Sequence, residues 1–227
     1  MTDTILQILI LVPCLVIAIV FHEVAHGWTA LALGDPTAKE QRRLSLNPIR
    51  HVDPVGTLIV PGALAFFGGP IFGWAKPVPV NRHRLNNPRY GMMAVAAAGP
   101  GSNLLMAGLA AILAGILGIQ FVVAPEGILG LATIAIYYFI TINIFLALFN
   151  LLPIPPFDGS HIVEGLLPRS MAEQYARLQQ VGMFLLIALI AVTWAFPDSG
   201  IIENVVWPPV EWLQNKYMQL AFKIAGG

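Results

Sequence analysis

FHEVAHGWTA occupies residues 21–30 and follows directly on the apolar run ILQILILVPCLVIAIV at 5–20. Two histidines and a glutamate in that setting decide how the chain is read. Ionisable groups in a membrane helix cost about 2.5–3.5 kcal/mol each on the mildest insertion scale, so they persist where they have a function. His22 and His26 are four residues apart. On a helix both imidazoles then project from one face and reach one ion. Glu23 lies between them, placed to act on a metal-bound water. Zinc suits two neutral imidazoles and a carboxylate with one position open. The plainer alternative is a polar pair packing between helices.

The composition places this stretch in a membrane. The chain is 57% hydrophobic and 11% charged, with a mean hydropathy of +0.74. A soluble domain carries roughly 25% charged residues. Twelve basic and twelve acidic residues balance, so nothing points to a nucleic-acid partner. Cys14, alone in the first apolar run, can build neither an internal disulfide nor a cysteine metal site. The opening MTDT has no basic character, and the segment is expected to be a retained membrane helix rather than a signal peptide.

Working outward, apolar segments are expected at about 5–33, 91–119, 128–152 and 180–196. Between the first two, PVGTLIVPGALAFFGGPIFGW (54–74) carries Pro54, Pro61 and Pro70 and scattered glycines. A straight helix does not tolerate that punctuation. Irregular backbone at membrane depth survives only where protein or a water-filled cavity covers it. Basic residues follow segment one (Lys39, Arg42, Arg43, Arg50), the 54–74 stretch (Lys76, Arg82, Arg84, Arg89) and the 128–152 segment (Arg169, Arg177). The positive-inside rule places all three loops in the cytoplasm, so 54–74 cannot span and must be re-entrant. A short β-hairpin and a broken helix are its two readings. Ala94, Gly101, Gly108 and Gly115 recur every seven residues, a smooth face for a neighbouring helix. The tail 202–224 mixes Trp207, Trp212, Tyr217, Lys216 and Lys223 with apolar residues, as interfacial helices do. The expected fold is an all-α polytopic membrane protein with about five transmembrane helices, the re-entrant Pro/Gly-rich element and a C-terminal interfacial helix. It forms one domain, 1–227, with a core at 5–162 and accessory helices at 163–227.

Two histidines leave a metal short of a ligand. Candidates for the third are Asp158, Asp53, Glu164, His161, His51 and His83. Asp158, in PIPPFDG after the 128–152 segment, is the acid nearest a membrane-embedded element. Capping the helix that follows is its alternative role. His161 is a candidate for supporting the site, although starting a helix is the commoner role for such a residue. His51 and His83 read as ordinary loop histidines.

HEVAH in the first long helix, GWAKPVPVN (73–81), AAAGPGSN (96–103) and FNLLPIPPFDG (149–159) together resemble the site-2 protease family of intramembrane zinc metalloproteases. The resemblance runs in family order over roughly 10–162. It implies that His22, His26 and Asp158 bind one zinc ion and that Glu23 is the catalytic base. It also implies the family's minimal form, without a PDZ or CBS domain. The expected activity is hydrolysis of a peptide bond within or near a transmembrane segment of membrane-protein substrates. Asn150 and Asn143 are candidates for stabilising the oxyanion or binding substrate, with interhelical hydrogen bonding as their other role. Asn103 and Gly101 are expected to serve helix packing. An extended substrate is expected to dock within 58–74. Expected partners are transmembrane protein substrates and the lipid bilayer, and a regulatory membrane partner is compatible with the sequence. The expected location is a prokaryotic plasma membrane, with the site nearer the cytoplasmic face. A transporter using the same polar cluster predicts a repeat that is not visible. A catalytically silent helix-binding protein does not need Glu23 and Asp158, yet both are present.

Overall fold

The computed structural model describes residues 2–66, 73–119, 121, 127–196, 200 and 202–227. Helix α1 spans Thr2–Ala32 and contains Pro13 without a break. A short α2, Thr37–Glu40, follows. The Pro/Gly-rich element then opens with a π-helical turn, Pro54–Ile59, which runs into α3, Val60–Phe66. Asp53 Oδ1 caps it, accepting from the Val55 and Gly56 amides, and Pro54 sits at the first position, where its missing N–H is harmless. The broken-helix reading therefore holds over 54–66. No strand occurs among the described residues, and 67–72 lie outside them.

Six residues of π turn and seven of α-helix reach about 20 Å, short of the ~30 Å hydrocarbon core. The chain also comes back to where it left. Trp74 N donates to Gly56 O at 3.0 Å and Lys76 N to His51 O at 2.9 Å, while Thr57 Oγ1 donates to Trp74 O at 3.0 Å. An excursion whose two ends are bonded side by side, and which is too short to cross, fits re-entry.

Helix α4 spans Pro88–Ile116. Asn87 caps it through Oδ1, accepting from Arg89 N and Tyr90 N. Helix α5 spans Gly127–Asn150, α6 Asp158–Leu166, α7 Arg169–Ala176, α8 Gly182–Ala195 and α9 Trp207–Ile224. Among the described residues, four helical stretches are long and apolar enough to cross a membrane: Ile5–Ala32, α4, α5 and Arg169–Ala195. That is fewer than the five or so expected from the sequence. The 54–66 element is too short, and α9 carries Glu211, Lys216 and Lys223.

Helix α4 is the hub, packing against α1, α5, α6 and α9. Its small-residue face does receive a helix, and that helix is α9. A Cβ at Gly108 would lie 3.5 Å from the Tyr217 ring, and one at Gly115 would lie 2.6 Å from Ala221 O and 2.7 Å from Ile224 Cβ. The contacts advance seven residues along both helices, so α9 lies lengthwise on α4. Ala107, Ala111 and Ala114 of α4, Ile140 and Ile144 of α5, and Val210 and Ala221 of α9 close the core between them. The tail is therefore built into the bundle rather than laid apart on its surface as an interfacial helix. Its aromatic and basic residues had suggested an interface, but Gly108 and Gly115 give it a groove. Gly101, counted on the same face, meets open space.

Candidate metal centre

Helix α1 delivers His22 and His26 from successive turns, and both are buried. Gly99 on α4 lets the two helices close at this level. A Cβ there would stand 2.5 Å from His26 Nε2 and 2.6 Å from His22 Cε1. Asp158 arrives from a third direction. It is the first residue of α6, whose N-cap position is taken by Phe157, without a side-chain capping bond. Its Oδ2 lies 3.1 Å from His22 Nε2 and 3.4 Å from His26 Nε2, and the two Nε2 atoms are 3.0 Å apart. Among the described residues these three side chains form the group able to hold a metal ion.

The outer nitrogens settle what the inner ones offer. His22 Nδ1 lies 2.7 Å from Asn103 Oδ1. Asn103 Nδ2 donates to Ala18 O at 3.1 Å and to Asn143 Oδ1 at 2.9 Å, so the amide oxygen is the atom facing the ring. His26 Nδ1 lies 2.7 Å from the Val95 carbonyl, which can only accept. Both Nδ1 atoms therefore carry the proton, and both Nε2 atoms present lone pairs. Asp158 Oδ2 is buried without a hydrogen-bond donor. Two lone pairs and an orphaned carboxylate oxygen converge on one point, an arrangement that asks for a cation. Tetrahedral zinc, with bonds of about 2.0–2.2 Å, sets ligand atoms roughly 3.3–3.6 Å apart. The observed separations of 3.0, 3.1 and 3.4 Å come within about 0.3 Å of that range.

The other predicted residues are distributed as follows. Glu23 is half-buried beside the cluster, and its Oε2 accepts from Val78 N at 2.7 Å. Asn143 is fully buried. It accepts from Asn103 and donates to Phe139 O at 2.8 Å, which makes it the last member of a relay from His22 across α1, α4 and α5. Asn150 Nδ2 donates to Leu146 O, within its own helix, at 2.9 Å. Asp53 caps the Pro54–Ile59 turn. Glu164 pairs with Arg82 at 2.6 Å and, with His161, accepts the Gln179 amide. That network ties α6 to the loop after 73–81, away from the metal ligands. His51 is buried, its Nε2 donating to Ser45 O at 2.7 Å, whereas His83 is exposed.

The sequence reading missed three parts. Asn103 does hold α1, α4 and α5 together as expected, and in addition its Oδ1 faces His22 Nδ1. Val95 acts through its carbonyl, which no side-chain pattern reveals. Gly99, rather than Gly101, is the glycine the site requires. The glycine spacing was a signal, but only the rotation of α4 decides which glycine meets the imidazoles.

The family described as Peptidase family M50 matches residues 114–191, a span that includes Asn143, Asn150 and Asp158. The chain is similar to the protein named "Putative zinc metalloprotease YwhC" of Bacillus subtilis (strain 168), at 36% identity over 199 residues, covering 84% of this chain and 86% of that relative. It is also similar to the protein named "Putative zinc metalloprotease Rip2" of Mycolicibacterium smegmatis, at 26% identity over 203 residues, covering 82% and 72%. No solved structure matches it. The chain belongs to peptidase family M50, the site-2 protease family of zinc metalloproteases.

Proposed function

We propose, for this member of peptidase family M50, that the chain hydrolyses a peptide bond within or beside a transmembrane segment of its protein substrates. His22, His26 and Asp158 hold the zinc ion, and Glu23 is the general base. The convergence of two imidazole lone pairs and an orphaned carboxylate, on helices packed in a membrane-length bundle, carries this reading. Zinc, when bound, supplies Lewis acidity that makes water nucleophilic near neutral pH. Glu23 accepts the proton from the attacking water and returns it to the leaving amine. The Asn103–Asn143 relay and the Val95 carbonyl keep the two rings turned toward the ion. Asn150 is the candidate donor to the developing oxyanion. Asn143, whose amide serves the relay, is the weaker one.

A helical substrate hides its carbonyls in i→i−4 bonds and must unwind before attack. Gly- and Pro-rich substrate spans are therefore favoured. Docking is proposed within 58–74, of which 67–72 lie outside the described residues. Residues 1–227 act as one unit, with the core at 5–162 and accessory helices at 163–227. The basic loops put the site nearer the cytoplasmic face of a prokaryotic plasma membrane, where a regulatory membrane partner could gate access.

The test is cleavage of single-span substrates in liposomes by wild type, Glu23→Gln and Asp158→Asn, with bound zinc measured. The wild type should cleave within the span. Glu23→Gln should keep zinc and lose cleavage, and Asp158→Asn should weaken zinc binding. A chelator should abolish cleavage, and zinc should restore it. Full activity in Glu23→Gln would refute the assigned role. A zinc-loaded wild type that cleaves nothing across a broad panel would favour the silent helix-binding reading.

A further inference from the structure

We propose that the peptide unit joining Pro77 to Val78 is a positioning element for Glu23, held in place by the buried Arg43. The inference rests on Glu23 being the general base. Residues 73–81, GWAKPVPVN, run past the HEVAH turn without helix or strand. Pro77 and Pro79 have no N–H, so across Pro77–Pro79 the backbone offers a single donor, the Val78 amide. That donor goes to Glu23 Oε2, at 2.7 Å.

The carbonyl of the same peptide unit is held from the other side. Arg43 Nη2 donates to Pro77 O at 3.3 Å and to Lys76 O at 2.8 Å. Arg43 is only 8% exposed. A guanidinium at the oxygen and a carboxylate at the N–H polarise one peptide in the same sense, so each bond strengthens the other. Neither proline can divert the strap into a different pairing.

The strap is fixed at its ends as well as its centre. Lys76 N donates to His51 O at 2.9 Å, and Asn81 N donates to Asp35 Oδ2 at 2.6 Å. Val78 packs on the glycine next to the second ligand, and a Cβ at Gly27 would lie 2.8 Å from Val78 Cγ1. The strap thus sits against the same turn of α1 that carries the metal ligands. Glu23 Oε1 makes no hydrogen bond among the described residues, so one carboxylate oxygen is pinned and the other is left to handle the proton. A free glutamate samples many rotamers, and a misplacement of about 1 Å can cost on the order of 100-fold in rate. Pinning removes that loss without touching the metal.

The experiment compares Val78→Pro with Val78→Ala in the full-length protein in liposomes. Both remove the isopropyl group, but only the proline removes the N–H. We expect kcat of Val78→Pro to be about 10- to 100-fold below that of Val78→Ala. KM and zinc content should agree between the two within about twofold, which a merely structural defect would not allow. Arg43→Met should lower kcat in the same direction, and Arg43→Lys should recover part of it. If Val78→Pro does not fold, hydrogen exchange at the Val78 amide decides. It should speed up at least about tenfold in Glu23→Ala relative to wild type. Equal kcat in Val78→Pro and Val78→Ala, or unchanged exchange in Glu23→Ala, overturns the positioning role. If Glu23→Gln is fully active, the general-base reading fails instead. If Glu23→Gln is dead and Val78→Pro matches Val78→Ala, only the positioning role fails.

Discussion

Replacing Asn103 by leucine keeps the number and branching of the side-chain heavy atoms but removes every polar contact it makes. His22 Nδ1 loses its acceptor at 2.7 Å, and Ala18 O and Asn143 Oδ1 lose their donors. All three lie in a part of the bundle where Asn103 and Asn143 are 0% exposed, so water does not replace the lost bonds. Loss of an outer partner of a ligating histidine costs about 10- to 100-fold in metal affinity. That corresponds to about 1.4–2.8 kcal/mol. Asn103→Asp separates orientation from packing. It keeps an oxygen toward His22 but sets a carboxylate against Asn143 Oδ1. Its zinc affinity should stay at or above that of wild type while its melting temperature falls. Asn103→Leu should lose both. The assay is a competitive zinc titration against a chromophoric chelator in detergent, with thermal melts in parallel. Wild-type zinc affinity in Asn103→Leu, or equal weakening in both variants, would refute the argument that Asn103 sets the His22 tautomer.

Three further outcomes follow from the packing and the loops. Gly99→Ala should lower zinc affinity at least about tenfold, because the methyl would stand 2.5 Å from His26 Nε2. Helicity by circular dichroism should hold or rise, since alanine favours helix over glycine by about 1 kcal/mol. Gly115→Leu should destabilise by about 2 kcal/mol by displacing α9. Gly101→Leu, into open space, should change the melting temperature little. At Asp35, burial alone would raise the carboxyl, but hydrogen bonds from Thr37 and Asn81, with Arg84 nearby, hold it below its ordinary value. A depressed folded-state value means the unfolded chain binds the proton first. The stabilisation is therefore complete above about pH 4 and lost as the pH falls further. Asp35→Asn should cost about 2 kcal/mol near neutral pH and should flatten the acid limb of the melting curve relative to wild type. An unaltered acid limb would count against this account.

The apolar segments, the interrupted helix at 54–66 and the histidine pair of the candidate metal centre were legible from the chain alone. Each rests on something local or additive: the cost of an ion in lipid, the period of a helix, the prolines that interrupt one. The i, i+4 spacing of His22 and His26 needs only α1 to exist. Other features were read wrongly or left open because they depend on how whole helices rotate and slide against each other. The tail's composition suggested an interface, but its fate was decided by Gly108 and Gly115, more than 100 residues away in sequence. Asp158 was preferred among six candidates for the third position only by its nearness to an apolar segment and by family resemblance. It is α6 that brings it to the histidines, while other partners take up Asp53, Glu164 and His161.

By itself, the sequence determined that this is a multi-helix membrane protein with a two-histidine, one-glutamate motif at membrane depth. Apolar content and short-range spacing suffice for that. Only the tertiary structure decided that Asn103 and Val95 turn the imidazoles, that Gly99 makes room for them, and that the Val78 amide meets Glu23. These contacts join residues 55 to 81 positions apart. A hydrogen bond depends on tenths of an ångström between groups that no local pattern brings together, so it exists only once the helices have packed.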